Sequence, residues 1–174
     1  MKEKIAIVGA GASACFFSYL LPNMQQDISI FEKIRGIGGR CSVRRKEKFG
    51  VFNLGDQFFT IKNPDLAKYF KEIVDNALIE NIPSSSGYYS KEEVWEQAIQ
   101  HPRFVGTPHM NSFPKYWCSE AEVKLNSKVD AITKKNEMWR IETKHGQIFE
   151  GFDICVLTVP HPQGRQSTSD RNFL

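Results

Sequence analysis

The chain has 174 residues, 41% of them apolar, with 23 Lys and Arg against 20 Asp and Glu for a formal charge of +3. That length can bury a real core, as one large domain or one with a small appendage. Cys15, Cys41, Cys118 and Cys155 are widely scattered without a CxxC pair, and His101, His109, His145 and His161 form no HExxH or comparable pattern, so no metal site and no thiol-exchange motif is expected. Cys15 and Cys155 lie in apolar surroundings and read as small core residues.

Ile5 to Val8 is a short apolar run, read as a strand. Gly9-Ala10-Gly11-Ala12-Ser13-Ala14 follows at once. Gly9 permits a tight turn, Gly11 lets the backbone approach a pyrophosphate, and Ala14 is small enough for a helix to lie against a sheet. The helix is expected from about Ala12 to Leu21, stopped by Pro22 and Asn23, with its first amides aimed at phosphates. A second strand, Ile28 to Phe31, ends at Glu32, followed by Lys33. A carboxylate there can accept both hydroxyls of an adenosine ribose and disfavours a 2′-phosphate, so the ligand is read as FAD or NAD rather than NADP. Packing of small residues alone is the bland alternative, and the strand, helix and acid in register weigh against it. Lys2 and Lys4 before Ile5 to Leu21 imitate a signal peptide, and Ala12-Ser13-Ala14-Cys15 imitates a cleavage box. Two glycines break that stretch, Glu3 dilutes its positive end, and it is shorter than the roughly 18–20 residues of a membrane span. The default compartment is cytoplasmic, with no membrane partner.

A second glycine cluster, Arg35-Gly36-Ile37-Gly38-Gly39-Arg40, comes directly after the acid. It makes sense where the chain folds back over a pyrophosphate: Gly38 and Gly39 allow close approach, and Arg40 is a forked cationic donor. The basic residues from Arg35 to Lys48 could contact nucleic acid, but no aromatic-interleaved basic surface accompanies them. Neutralising an anionic cofactor is the simpler use, and no nucleic-acid partner is expected.

Pro64 to Ala77 spaces Leu66, Tyr69, Phe70, Ile73 and Val74 on one helical face, with Asn63 or Asp65 at its start. That stripe reads as core. Leu78 to Ile82 is expected as a strand, 83–87 as a turn, and Tyr88 and Tyr89 as the opening of another strand. Ser90 with Glu93 reads as a capping box for a helix through about Ile99. Met110 to Trp117 is expected as a short helix, with Pro114 marking its first turn. Val123 to Leu125, Ala131 to Thr133 and Met138 to Glu142 alternate as half-buried strands, with Gly146 in a turn before Ile148 and Phe149. Trp139 reads as core. Phe152 to Val159 is nearly continuous apolar sequence, as for a central parallel strand buried on both faces.

Several of these segments, in order, resemble the FAD-containing amine oxidase superfamily, and within it the renalase-like flavin oxidoreductases. The resemblance rests on Glu32 with Arg35 to Arg40, on Asn53-Leu54-Gly55-Asp56-Gln57-Phe58-Phe59-Thr60, on Phe104-Val105-Gly106-Thr107-Pro108-His109-Met110-Asn111, and on Val156 to Gln163. It implies an α/β architecture: a Rossmann-like FAD-binding domain with a small antiparallel layer and a partial α+β substrate-domain insertion. The expected segments are 1–60 and 106–163 for FAD binding, 61–105 for the substrate side, and 164–174 as a disordered or frameshifted tail. FAD is the implied cofactor. Gly9, Gly11, Ala12, Ser13, Ala14, Glu32, Lys33, Gly39 and Arg40 would hold its ADP portion. By resemblance Gln57 and Phe58 border the flavin, Val129 contacts adenine through its backbone, and Pro160 ends the strand beneath the ring.

Three departures stand out. Asn53 replaces an acid, Asp56 replaces a small residue and would need a partner if buried, and His109 stands where glycine is preferred, at a turn that would then lose a favourable conformation. The polar run from Gly164 to Leu174 breaks the pattern, which would continue with an apolar helix and roughly as much chain again. It reads as an N-terminal half, a monomer or a poorly soluble fragment.

The implied activity is hydride transfer from a reduced small molecule, a dihydronicotinamide or an amine, to FAD, with O2 as final acceptor. No catalytic side chain is assigned. The alternative is a non-catalytic FAD- or ADP-binding remnant. An NAD-type Rossmann protein would leave Gly38-Gly39-Arg40 and the Pro160-x-Pro162 turn without a purpose.

Overall fold

A computed structural model describes residues 2–21, 26–82, 87–89, 91, 95–97 and 101–160. The elements in chain order are β1 (Lys4–Val8), α1 (Ala12–Leu20), β2 (Asp27–Phe31), a 3-10 turn at Gly39–Cys41, β3 (Val43–Lys46), β4 (Gly50–Asn53) and β5 (Phe59–Thr60). Then come α2 (Pro64–Asp75), β6 (Ile79–Ile82), β7 (Gly87–Tyr89), β8 (Trp95–Gln97), β9 (Arg103–Gly106) and α3 (Ser112–Trp117). The last are β10 (Glu122–Lys124), β11 (Val129–Lys135), β12 (Met138–Thr143), β13 (Ile148–Phe152) and β14 (Ile154–Leu157).

The central sheet has the order β10-β2-β1-β14 and every pairing in it is parallel. Alternation along β1 divides its side chains between two cores, as the two-residue strand period requires. Ile5 and Ile7 pack with Ala14 and Cys15 of α1 and with Phe113 and Trp117 of α3. Ala6 and Val8 face the other way, into a cluster with Phe31, Val129, Ile132, Ile141 and Phe152. That second face is roofed by the antiparallel sheet β11-β12-β13, with Phe149 edge-on to Phe31 at 5.0 Å. A parallel sheet covered on both faces is the arrangement the apolar strands call for.

A further antiparallel sheet, β5-β9-β6, lies beside α2. Its Phe59 ring lies tilted against Phe113 of α3 at a centroid distance of 4.9 Å, so it shares the core beneath α1 and α3. Burying a ring such as Phe113 contributes about 1.5–3 kcal/mol relative to leaving it in water. The start of α2 forms as the sequence predicts: Asn63 Oδ1 accepts the Asp65 N–H at 2.8 Å and Pro64 opens the first turn. Only part of its apolar stripe is core, however. Ile73 is buried, while Leu66 and Val74 stay exposed.

Three expectations are corrected. The capping-box helix from Ser90 does not form over its middle: Trp95–Gln97 is a strand, paired antiparallel with Gly87–Tyr89. Tyr88, Tyr89 and Trp95 are residue types that favour strands, and cross-strand pairing outweighs one short cap. Val123 belongs to β10, which is parallel to β2 rather than part of the antiparallel layer, because its Lys124 carbonyl accepts the Glu32 N–H at 2.9 Å. The run from Phe152 divides at Asp153, whose carboxylate accepts the Lys4 N–H at 2.8 Å. Phe152 ends β13, and β14 is an edge strand among the described residues, with Ile154 and Leu157 exposed. The Pro22-Asn23 stop, the 83–86 turn, most of the Pro160-x-Pro162 turn and the polar tail lie outside the described residues.

Candidate functional site

The turn after β1 is built by two different uses of glycine. Gly9 has φ +99, and a Cβ on it would come within 2.9 Å of Thr158 Oγ1 and 3.0 Å of Val159 Cγ1. Thr158 fastens this crossing: its Oγ1 donates to the Val8 carbonyl at 3.0 Å and to the Gly9 carbonyl at 3.3 Å. Gly11 is unlike Gly9. Its φ of −73 and ψ of 171 are open to any residue, and a Cβ there would meet nothing within 4 Å. The protein itself gives no steric reason for glycine at this position, whereas close approach by an external group does.

Gly11 is also the N-cap of α1, with no side-chain cap and no acid in the first turn. Ala12 and the exposed Ser13 therefore carry first-turn amides with no capping side chain, which suits an anion. Ala14 is fully buried and lets α1 lie against β1.

Glu32 closes β2 and is only 6% exposed. Its Oε2 accepts the Ala10 N–H at 2.8 Å and its Oε1 accepts the Ile34 N–H at 3.0 Å. An ionised carboxylate has about four acceptor positions, so each oxygen keeps one for another donor. Beside it opens a cavity of about 340 Å³ walled by Gly9, Glu32, Lys33, Lys128, Val129 and Val159, among others. The Ser127 N–H donates to the Glu32 carbonyl at 2.7 Å, which draws the segment leading into β11 over this space.

The second glycine cluster packs onto the first. The Gly38 N–H donates to the Ala10 carbonyl at 2.8 Å. Gly39, at φ +56, lies so close that a Cβ would be 3.0 Å from Gly11 Cα. Arg40 follows in the 3-10 turn, exposed, and no carboxylate among the described residues forms an ion pair with it. Its carbonyl accepts the Asp56 N–H at 2.9 Å, and Gly55 is pressed so near that a Cβ would be 1.9 Å from that oxygen. This anchors the loop carrying Gln57 and Phe58, both exposed; Arg103 lies over the Phe58 ring at 4.3 Å.

The predicted residues therefore fall into three adjoining groups. Gly9, Gly11, Ala12, Ser13 and Ala14 make the turn. Glu32, Lys33 and Val129 share the cavity with Gly9. Gly39 and Arg40 abut Gly11 and lead to Gln57 and Phe58. Pro160 is exposed just beyond the cavity wall, where Val159 stands instead. Sequence reasoning missed Thr158 and Asn111. The Asn111 side-chain amide donates to the Ile37 carbonyl at 3.1 Å and sits against Gly38. Burial, with Asp56 adding to it, pushes the Cys41 thiol up.

The departures at positions 53, 56 and 109 do no harm to the backbone. Asn53 Oδ1 accepts the Met110 N–H at 3.1 Å. Asp56 is half-buried rather than enclosed. His109 is not among the residues with positive φ. The residue that must be small is Gly106, where a Cβ would be 2.4 Å from the His109 carbonyl oxygen.

Residues 7–73 match the sequence model of the NAD(P)-binding Rossmann-like domain. The chain has a Rossmann-like α/β fold. Among solved structures it is similar to one from Exiguobacterium sp. 255-15 assigned as a protoporphyrinogen oxidase, with a TM-score of 0.69 at 13% identity. The likeness covers 95% of this chain and 61% of that one, so the chain spans less than two thirds of that protein's length. At 13% identity it is a likeness of fold. No helix among the described residues is long and apolar enough to cross a membrane.

Proposed function

We propose that this site binds the ADP portion of FAD and that the chain carries the cofactor side of an FAD-dependent oxidoreductase. The observation that carries the reading is Glu32, a nearly buried carboxylate at the end of β2 with acceptor capacity left over, facing the cavity beside Gly9. Its oxygens would take the ribose hydroxyls, and Val129 would border the adenine. Gly11 and the amides of Ala12 and Ser13 would admit the pyrophosphate, with Arg40 supplying positive charge. The path from Gly39 and Arg40 to Gln57 and Phe58 favours a cofactor that extends past the second glycine turn, which is FAD rather than NAD.

Bound FAD would supply a two-electron acceptor for hydride from a reduced small molecule, a dihydronicotinamide or an amine, with O2 as final acceptor. In this reading segments 1–60 and 106–163 serve the cofactor, and 61–105 begins the substrate side. The renalase-like resemblance supports the dihydronicotinamide class. A second reading, a non-catalytic FAD- or ADP-binding remnant, is favoured by the exposure of Leu54, Gln57 and Phe58 on the flavin side.

The purified chain is to be titrated with ADP, FAD and NAD by calorimetry, then assayed for oxidation of reduced nicotinamides. ADP and FAD should bind and NAD should compete poorly. Turnover supports the enzyme, and binding without turnover supports the remnant. Failure of both ADP and FAD to bind overturns both readings.

A further inference from the structure

We propose that Cys15 and Cys118 form a redox pair that closes to an intramolecular disulfide tying α1 to the end of α3. Cys15 lies in the first turn of the helix that carries the glycine turn, its N–H donating to the Gly11 carbonyl at 3.0 Å. Cys118 is the C-cap of α3. The two helices pack with these positions opposed. Ser18, one helical turn past Cys15 on the same face, donates its hydroxyl to the Trp117 carbonyl at 3.3 Å, one residue before Cys118. Both cysteines belong to the same buried cluster, near enough for each side chain to act on the other. Each thiol donates its proton to a nearby carbonyl, Cys15 to Ala10 and Cys118 to Lys115. Neither Cys41 nor Cys155 is shifted by another cysteine.

The Cys15 side chain holds the Cys118 thiol below its ordinary range, with the Lys115 charge assisting, and the Cys118 side chain, with burial, pushes Cys15 up. Oxidation that starts at either sulfur ends in the same disulfide. With hydrogen peroxide as oxidant, the Cys118 thiolate attacks one peroxide oxygen, an S–O bond forms and the O–O bond breaks. The departing hydroxide takes up the proton Cys118 released and becomes water. Cys15 sulfur then attacks the Cys118 sulfur. An S–S bond forms, the S–O bond breaks, and the hydroxyl leaves as water with the Cys15 proton. In sum two thiols are oxidised by two electrons and one peroxide is reduced to two waters.

The test uses the whole chain treated with hydrogen peroxide, followed by thiol counting under denaturing conditions and peptide mapping without reductant. Two of the four free cysteines should be lost, with one crosslinked peptide joining Cys15 to Cys118 and with monomeric chains. A Cys41→Ser, Cys155→Ser double variant should give the same result, and dithiothreitol should reverse it. Retention of all thiols, a crosslink through Cys41 or Cys155, a crosslink between chains, or oxidation of Cys118 only to sulfinic acid would each overturn the pair.

Discussion

The Glu32 carboxylate clasps the glycine turn, accepting the Ala10 N–H at 2.8 Å. One side chain thereby joins the end of β2 to the glycine turn while keeping the acceptor positions that the proposed ribose contact needs. Glu32→Ala should show both losses. ADP affinity should fall by about 5–150-fold, corresponding to roughly 1–3 kcal/mol for charged-acceptor hydrogen bonds. The melting temperature should also drop, because the Ala10 and Ile34 N–H groups lose their acceptors. Calorimetric titration and thermal melts measure the two separately, and an unchanged ADP affinity would remove Glu32 from the site.

Gly11 borders open space, whereas Gly55 borders the Arg40 backbone. Gly11→Ala adds a Cβ that meets no protein atom within 4 Å, in a backbone conformation any residue adopts. Stability should stay within about 0.5 kcal/mol of the parent, while under the proposed function FAD and ADP affinities fall at least about tenfold, since the methyl enters the space proposed for the pyrophosphate. Gly55→Ala brings a Cβ to 1.9 Å from the Arg40 carbonyl oxygen, a backbone atom that cannot swing aside. It should destabilise the chain by about 1–3 kcal/mol through forced backbone movement. Equal melting temperatures for the two variants would refute the distinction.

The strand, glycine turn, helix and second strand of the opening were legible because each of their requirements is local. Gly9, Gly11, Ala14 and Glu32 sit at spacings set by one strand, one helix and the next strand, and sequence carries those directly. What escaped reading depends on partners distant in sequence. Thr158 reaches Val8 and Gly9 across some 150 positions, and only the pairing of β14 with β1 reveals it. The expected burial of β14 failed for a similar reason, since an apolar run does not say how many strands lie beyond it. At Ser90 the local signal pointed the wrong way: capping-box chemistry was present, and the hairpin of β7 and β8 prevailed.

Asn53 illustrates a departure that the fold absorbs. Its Oδ1 holds the Met110 N–H at 3.1 Å, joining the end of β4 to the approach to α3. Asn53→Ala should cost about 0.5–1.5 kcal/mol by chemical denaturation, the net worth of one such bond. Asn53→Asp keeps an acceptor in place and should fall within about 0.5 kcal/mol of the parent. If the alanine variant is as stable as the aspartate one, the hydrogen bond contributes nothing.

The Tyr19–Glu72–Tyr116 cluster gives the chain a titration signature away from the cavity. Both phenols donate to the Glu72 carboxylate. The hydrogen bond to Glu72, followed by burial and the carboxylate charge, pushes Tyr19 up to about 12. Tyr116 is raised by the same acceptor, and Glu72 is held below the usual carboxylate range by Tyr116 and then Tyr19. The phenols must keep their protons to donate. Their contribution to stability is therefore full below an ordinary tyrosine value of about 10 and is lost as pH rises through the native value, about 12 for Tyr19. Glu72 works in the opposite direction: its contribution is present above its ordinary value and is lost as pH falls through the lowered native one. Between the two windows this cluster adds no slope to stability against pH. Absorbance at the phenolate band should show one tyrosine titrating near 12 in the folded chain. Glu72→Ala, at an exposed position of α2, should leave the fold intact and bring that tyrosine back toward about 10. A parent chain whose tyrosines all titrate near the ordinary value, or a variant that leaves the highest one unmoved, would show that Glu72 does not hold these phenols.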